Sequence, residues 1–134
     1  MHTHLRIDLV TRLAALPALA GSGVVWQPAP IGQPVNLLVI RLISDLRDLS
    51  HGGPTGLCDA RIQFDAYALD PADAEQMREA VIDNLHGFKG PLVDGGAAVD
   101  SCAHDNSLED FDQATGLSRA ACDLKIQYHL PVSS

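Results

Sequence analysis

The sequence predicts an α+β fold, a mainly antiparallel β-sheet covered by two helices, in the order α-β-β-β-α-β-β. Hydrophobic and polar residues alternate over residues 58–68 and 120–130, and apolar residues recur at helical spacing from Pro71 to Leu85. Alternation places successive side chains on opposite faces of a strand, whereas a period near 3.6 gives one apolar helix face. The strand at 58–68 leads directly into the helix, and no catalytic motif interrupts this unit.

The N-terminal third is predicted to contain one helix and two strands. Four leucines at helical spacing predict an amphipathic helix over residues 3–19: Leu5, Leu9, Leu13 and Leu16. Pro17 is expected to shorten or kink its C-terminal end. Val24–Trp26 is predicted as a short edge strand, because the prolines that follow cannot donate ladder hydrogen bonds. Val35–Leu46 is predicted as a central strand, with a helix as the alternative because its leucines also recur every four residues.

The central segment is a strand followed by a helix. The turn composition of residues 51–56 predicts that the strand at 58–68 forms a hairpin with the preceding strand. Asp70 can cap the following helix, Pro71 suits its first position and Gly87 can end it. This unit therefore predicts a half-buried strand whose apolar face packs against an amphipathic helix.

The C-terminal part is predicted to contain two further strands, residues 97–104 and 120–130. Between them, residues 105–116 are predicted as a long, acidic hairpin loop that ends in Gly116. Loops of this length are uncommon unless they have a use, so we expect it to reach a neighbouring subunit or a docking partner. The alternative is a mobile tip. The candidate partner-binding residues are Asp105, Glu109, Asp110, Phe111 and Asp112.

Length, charge and cysteine usage predict a single soluble domain over residues 1–134. The formal net charge is −8, and the nine Lys and Arg residues never cluster. Specific nucleic-acid binding is therefore not expected, because it requires a basic patch, although an acidic wall would let DNA slide past without sticking. Three cysteines without a CxxC pair, no signal peptide and no apolar run of membrane-spanning length predict assembly in a reducing cytoplasm, away from membranes.

Motifs for catalysis or cofactor binding are absent, so the sequence predicts no enzyme, no cofactor and no metal. Cys102, His104 and Asp105 form the only local cluster of possible ligands, and they could reach His129 if the last two strands pair. Their spacing does not match a zinc site, so solvated side chains on an outer sheet face are the simpler interpretation. An enzyme that uses Cys102 and His104 is the least favoured alternative.

Four segments of the chain together match one family: VVWQP, VIRLIS, GPTGLCDARIQFDAYALDPADAEQMREAV and EDFDQATGLSRAACDLKIQYH. With these segments the chain resembles the tail-terminator, or tail-completion, proteins of long-tailed phages and gene transfer agents. The resemblance extends over nearly the whole chain. Its strongest parts are the strand-to-helix unit and the Gly-Leu-x-Arg opening of the last strand, residues 116–119.

This resemblance implies a structural virion protein that forms a hexameric ring, caps the tail tube and stops its polymerisation. Its implied partners are further copies of itself, the major tail-tube protein and the head-completion, or neck, proteins. DNA would pass through the lumen without specific binding. The alternative is a small acidic protein that mimics DNA or acts as an adaptor, which would be expected to stay monomeric or dimeric.

Overall fold

The computed structural model describes residues 3–19, 22–26, 36–47, 57–93, 96, 98–113 and 116–129. These residues form two helices, a short 3₁₀ turn at Pro17–Leu19 and six strands. In chain order the elements are α1 (Thr3–Ala14), β1 (Gly23–Trp26), β2 (Leu37–Arg47), β3 (Leu57–Ala68), α2 (Pro71–Leu85), β4 (Gly90–Pro91), β5 (Ala98–Asp112) and β6 (Leu117–His129). The α+β class is confirmed, and the observed order adds the two-residue β4.

The six strands form one sheet in the order β1-β2-β3-β6-β5-β4. Only β1 and β2 run parallel among the described strands, and every other neighbouring pair is antiparallel. The antiparallel pairing of β2 with β3 fits the expected hairpin, and the helix alternative for the β2 segment is wrong. The turn predicted at residues 51–56 lies outside the described residues.

Strand β3 and helix α2 confirm the predicted central unit. The Ala72 N–H donates to Asp70 Oδ1 over 2.9 Å, which satisfies one of the free amides at the start of α2. At the other end, the His86 N–H donates to the Ile82 carbonyl over 2.8 Å. Gly87 follows with φ +79°, a conformation that favours glycine and turns the chain out of the helix.

Helix α1 is shorter than predicted, because it ends at Ala14 instead of Leu19. Pro17 has no N–H to donate, and its ring disfavours helical geometry at the residue before it. The chain continues as the 3₁₀ turn, which keeps Leu19 buried against the core. The proline therefore shortens the helix, one of the two outcomes expected.

One hydrophobic core lies between the sheet and the two helices. Both helices pack on the same face of the sheet, because their apolar residues join a single cluster with the even-numbered side chains of β3. The main contributors from the helices and from β3 are Leu5, Leu9, Leu13, Met77, Val81, Leu85, Cys58, Ala60, Ile62, Phe64 and Ala66. We call the opposite face of the sheet the outer face.

The predicted acidic loop is wrong for most of its length, since β5 continues to Asp112 and residues 105–112 are therefore part of a strand. Asp112 pairs with Leu117 at the start of β6, and Gly116 has φ +74°. Asn and Asp disfavour strands, which explains the prediction from local composition. Pairing with β6 overrides that preference, because the ladder satisfies the backbone groups that face β6.

A side-chain contact ties α1 to the region after α2. Arg12 Nε donates to Asn84 Oδ1 over 2.7 Å, and Arg12 Nη1 donates to the Leu92 carbonyl over 3.0 Å. The guanidinium also lies 3.9 Å from the centre of the Phe88 ring. Neither α1 nor α2 is long and apolar enough to cross a membrane, nor is any other helical segment in the described ranges.

Candidate assembly surface

The predicted partner-binding residues lie where β5 and β6 pair beside the end of β3. We call this part of the sheet the hairpin arm and define it as residues 105–112 of β5 and residues 117–123 of β6. Glu109 pairs with Ala120 on the helix side of the sheet, whereas Asp110 pairs with Arg119 on the outer face. Adjacent residues of a strand point to opposite faces. The five candidates are therefore divided between two faces instead of gathered at a loop tip.

On the outer face, a charged network joins the arm to the centre of the sheet. Arg119 donates to both oxygens of Asp110, over 2.9 and 2.6 Å, and its Nη1 lies 3.5 Å from Asp65 Oδ1. Asp65 is fully buried and also accepts from Arg41 Nε over 2.8 Å and from Gln63 Nε2 over 2.6 Å. The hydrogen bonds from Arg119 hold the pKa of Asp110 below its ordinary 3.8.

On the helix side, Arg78 of α2 holds the arm against the body of the protein. Its side chain is only 9% exposed, and its Nη2 lies 2.9 Å from Glu109 Oε1. Its Nη1 donates to the Leu108 carbonyl over 3.4 Å, and Glu75 and Glu79 lie 3.8 and 3.6 Å from the same guanidinium. One cation thus faces three carboxylates. A hydrogen bond with the Glu109 carboxyl raises the pKa of Glu75 above its ordinary 4.5.

The base of the arm contacts a groove on the outer face. Asp105 Oδ2 lies 2.9 Å from Arg61 Nη2, and Asp105 Oδ1 lies 3.8 Å from Lys125 Nζ. Both cations line a groove of about 480 Å³, together with Asp59 and Gln127. The three carboxylates Asp105, Glu109 and Asp110 are each paired with a cation of the same chain.

Two large apolar side chains of the arm are exposed to solvent. Phe111 is 58% exposed and Leu108 is 42% exposed, and they lie on opposite faces because Phe111 pairs with Ser118 and Leu108 with Ala121. Phe111 borders a cavity of about 330 Å³ between the arm and the first turn of α2. The β5 strand of the arm therefore exposes a large apolar side chain on each of its two faces.

The four candidate metal ligands do not converge: Cys102, His104, Asp105 and His129. Cys102 faces the core, where burial raises the pKa of its thiol to about 12, so the thiol stays protonated at neutral pH. His104 contacts Ser107 and His129 contacts Asp100, while Asp105 points to the outer face. Within the described residues, no group of three or more His, Cys, Asp or Glu side chains can hold a metal ion.

The sequence analysis missed the residues that organise the arm, namely Asp65, Arg78 and Arg119. For Arg119 a signal was available, because extending the hairpin back from Gly116 places Arg119 opposite Asp110. The contact between Arg78 and Glu109 had no such signal, since it depends on how α2 packs on the sheet.

The fold and this surface together define a class: an α+β protein with one six-stranded sheet, both helices on one face and an arm that displays apolar side chains. A chain in a solved structure described as the virion of a native gene transfer agent particle has the same fold, with a TM-score of 0.63. The match covers 96% of this chain and 99% of that chain, at 14% sequence identity. No protein-family model and no curated protein matches the sequence.

Proposed function

We propose that this chain is a structural protein of a phage-like virion and that it acts as a tail terminator. The observation that supports the proposal is the match in fold to a chain of a gene transfer agent virion, which covers nearly all of both chains. The proposed role is structural instead of enzymatic, because the similar chain belongs to a virion particle.

In this proposal six copies form a closed ring at the head-proximal end of the tail tube. Each copy contacts the next through two different surfaces, as a heterologous ring requires. One side of the ring resembles a tube subunit and binds the major tail-tube protein, whereas the other side binds the neck proteins. Tube growth stops because that second side offers no site for a further tube subunit.

The charge of the chain supports passage of DNA through such a ring. Each copy has a formal net charge of −8, so six copies surround the lumen with acidic protein. Like charges repel, and the few cations near the arm are already paired with carboxylates. DNA would therefore move through the lumen without specific binding.

We assign the contacts with neighbouring proteins to the hairpin arm. The proposed partner-binding residues are Asp105, Glu109, Asp110, Phe111 and Asp112. Phe111 supplies exposed apolar area, whereas Asp105, Glu109 and Asp110 fix the position of the arm through ion pairs within the chain. The protein would be located at the tail or neck of the particle after assembly in the host cytoplasm.

The test examines the purified chain and particles made without it. Native mass spectrometry and negative-stain electron microscopy of the full chain should detect six-membered rings. Particles from cells that lack the gene should carry overlong tubes without heads, and expression of the gene should restore normal tubes. Tubes of normal length joined to heads in the absence of this chain would contradict the proposal, as would a monomer both alone and on purified tubes.

A further inference from the structure

The unpaired edge of the hairpin arm is the strongest unexplained feature of the sheet. The first part of β5 is covered on its free side: β4 pairs with Ala98 and Val99, and the Gly87 N–H donates to the Cys102 carbonyl over 2.7 Å. The His104 N–H donates to His86 Nδ1 over 3.0 Å. A bulge follows between His104 and Asn106, and among the described residues no strand pairs with this edge beyond it.

Backbone groups of the arm point toward that free edge. Cys102 and His104 direct backbone groups away from β6, and they pair with the even-numbered residues Ile126 and Leu124 of that strand. In an antiparallel strand every second residue directs both its N–H and its C=O to the same side. Ser107, Glu109 and Phe111 also pair with even-numbered residues of β6, so they offer hydrogen-bonding groups to an additional strand. An exposed edge of this kind is a template for pairing.

The charges of the arm do not prevent a second acidic copy from approaching. Glu109 is paired with Arg78 and Asp110 with Arg119, both within the chain. A carboxylate that is paired with a cation of its own chain repels a like-charged neighbour less than an unpaired carboxylate does. It also does not require a basic group on the partner. The remaining recognition groups are the backbone edge and the exposed side chains of Leu108 and Phe111. These fit an uncharged, apolar strand.

The opposite edge of the same sheet has those properties. Strand β1 has the sequence Gly-Val-Val-Trp without a charged residue, and no described strand lies beyond it. The Gly23 N–H donates to the Asn36 carbonyl on the β2 side, so alternation directs the backbone groups of Val24 and Trp26 to the free side. The side chains of Val24 and Trp26 pack against the core, which places Val25 on the outer face.

We propose that the arm edge, Asn106–Asp112, of one copy pairs with the β1 edge of the next copy. The two edges belong to opposite ends of one sheet, so the contact is heterologous and can repeat around a ring. Backbone hydrogen bonds give the affinity, as in other cases of strand addition. This inference rests on the proposed ring and names the surface that closes it.

Disulfide trapping between two singly substituted chains tests the pairing. Val25→Cys and Leu108→Cys place thiols on the outer face of the two edges, and mild oxidation of their mixture should give a dimer-sized band. The native thiols should not form disulfides between chains, because Cys58, Cys102 and Cys122 are buried. Ile7→Cys, exposed on α1, replaces Val25→Cys as the matched control and should give no band.

The outcomes separate this inference from the proposed function. Rings that form without a Val25–Leu108 disulfide would overturn the edge pairing and leave the tail-terminator proposal intact. A disulfide from Leu108→Cys alone would show arm-to-arm pairing and also overturn it. A chain that never assembles would overturn both.

A proline substitution in the arm edge tests the same contact without cysteines. Ser107→Pro removes an N–H that faces the free edge, which a strand tolerates at such a position, and it should abolish rings while the thermal unfolding midpoint changes little. Ser107→Ala keeps the N–H and should still assemble. Rings of folded Ser107→Pro protein would contradict the proposal, and if that variant does not fold, the disulfide result decides.

Discussion

At the scale of single residues, the position of the arm depends on two arginines that reach it from different sides. Arg119 bridges Asp110 on the arm to Asp65 in the sheet, and Arg78 joins Glu109 to α2. Asp65 has no exposed surface, whereas Asp110 is 48% exposed. Water competes with an ion pair at Asp110 and cannot do so at Asp65, so the two carboxylates contribute differently to stability.

Asp65→Ala is expected to lower the free energy of unfolding by about 1–3 kcal/mol. The change removes hydrogen bonds from Gln63, Arg41 and Arg119, while the two arginines remain partly exposed and can turn to water. Urea unfolding measures the loss. Asp110→Ala is the control and should cost less than about 1 kcal/mol, because the Asp110 carboxylate is itself 48% exposed to solvent. Equal losses in the two variants would contradict this account.

Glu75 gives a prediction for the pH dependence of stability. The Glu109 carboxyl raises the pKa of Glu75 above 4.5 in the folded state, so its charged form is disfavoured there relative to the unfolded chain. Glu75→Gln should therefore raise the thermal midpoint relative to the wild type at pH 7. The gain should fade as the pH drops through the raised pKa and be absent below 4.5, where the wild-type carboxyl is protonated in both states.

The control for that experiment is Asp83→Asn, which removes one charge from an exposed position of the same helix. It should lack the pH-dependent gain of Glu75→Gln. Thermal unfolding, followed by circular dichroism at pH 7 and below pH 4.5, measures the difference in thermal midpoint between each variant and the wild type. A constant offset between Glu75→Gln and the wild type at all pH values would exclude repulsion between Glu75 and Glu109 as its cause.

At the scale of secondary structure, strand β3 separates the core from the outer face through its alternation. Its even-numbered residues are buried under α1 and α2, and its odd-numbered residues include the charged pairs of the outer face. Within the arm, the side chains of residues 105–111 of β5 are exposed, whereas those of Ser118, Ala120, Ala121 and Cys122 of β6 are buried.

Phe64→Ala is expected to lower the free energy of unfolding by about 3–5 kcal/mol, because it leaves a cavity in the core. Phe111→Ala is the matched control, with the same change at a 58%-exposed ring, and should stay within about 0.5 kcal/mol. Urea unfolding of the monomer compares them. A small effect at Phe64 would mean that the apolar face of β3 is an assembly surface instead of the core.

At the scale of the whole molecule, charge is the main obstacle to self-assembly. Each copy has a formal net charge of −8, and the surface of the arm is acidic although its carboxylates are paired. Bringing six such copies together raises the electrostatic free energy of the ring. Salt shortens the distance over which these charges act.

Ring formation is therefore expected to strengthen as the salt concentration rises from about 10 mM to about 150 mM, where the screening length falls from roughly 30 to 8 Å. Analytical ultracentrifugation at constant protein concentration measures the fraction in rings. Potassium glutamate in place of chloride controls for specific anion effects. Dissociation at higher salt would indicate an interface held by ion pairs between copies, in conflict with the backbone pairing proposed for the arm.

Local patterns determined much of the fold in advance. The alternation at Cys58–Ala68 and the helical spacing with its Asp70 cap identified β3 and α2, because burial on one side leaves a periodic signal in the sequence. Pro17 signalled where α1 ends. The same reasoning failed for residues 105–112, whose composition favours a loop while pairing with β6 makes them a strand.

The sequence by itself determined the α+β class, the core face of β3 and the acidic character of the surface, since each follows from residue type and spacing along the chain. Only the tertiary structure decided that Glu109 meets Arg78 and that Asp65 is buried among Arg41, Arg119 and Gln63. It also decided that no strand among the described residues pairs with the β5 edge beyond His104. These contacts join residues that are distant in the chain. Their geometry depends on strand register and helix packing, which no local pattern specifies.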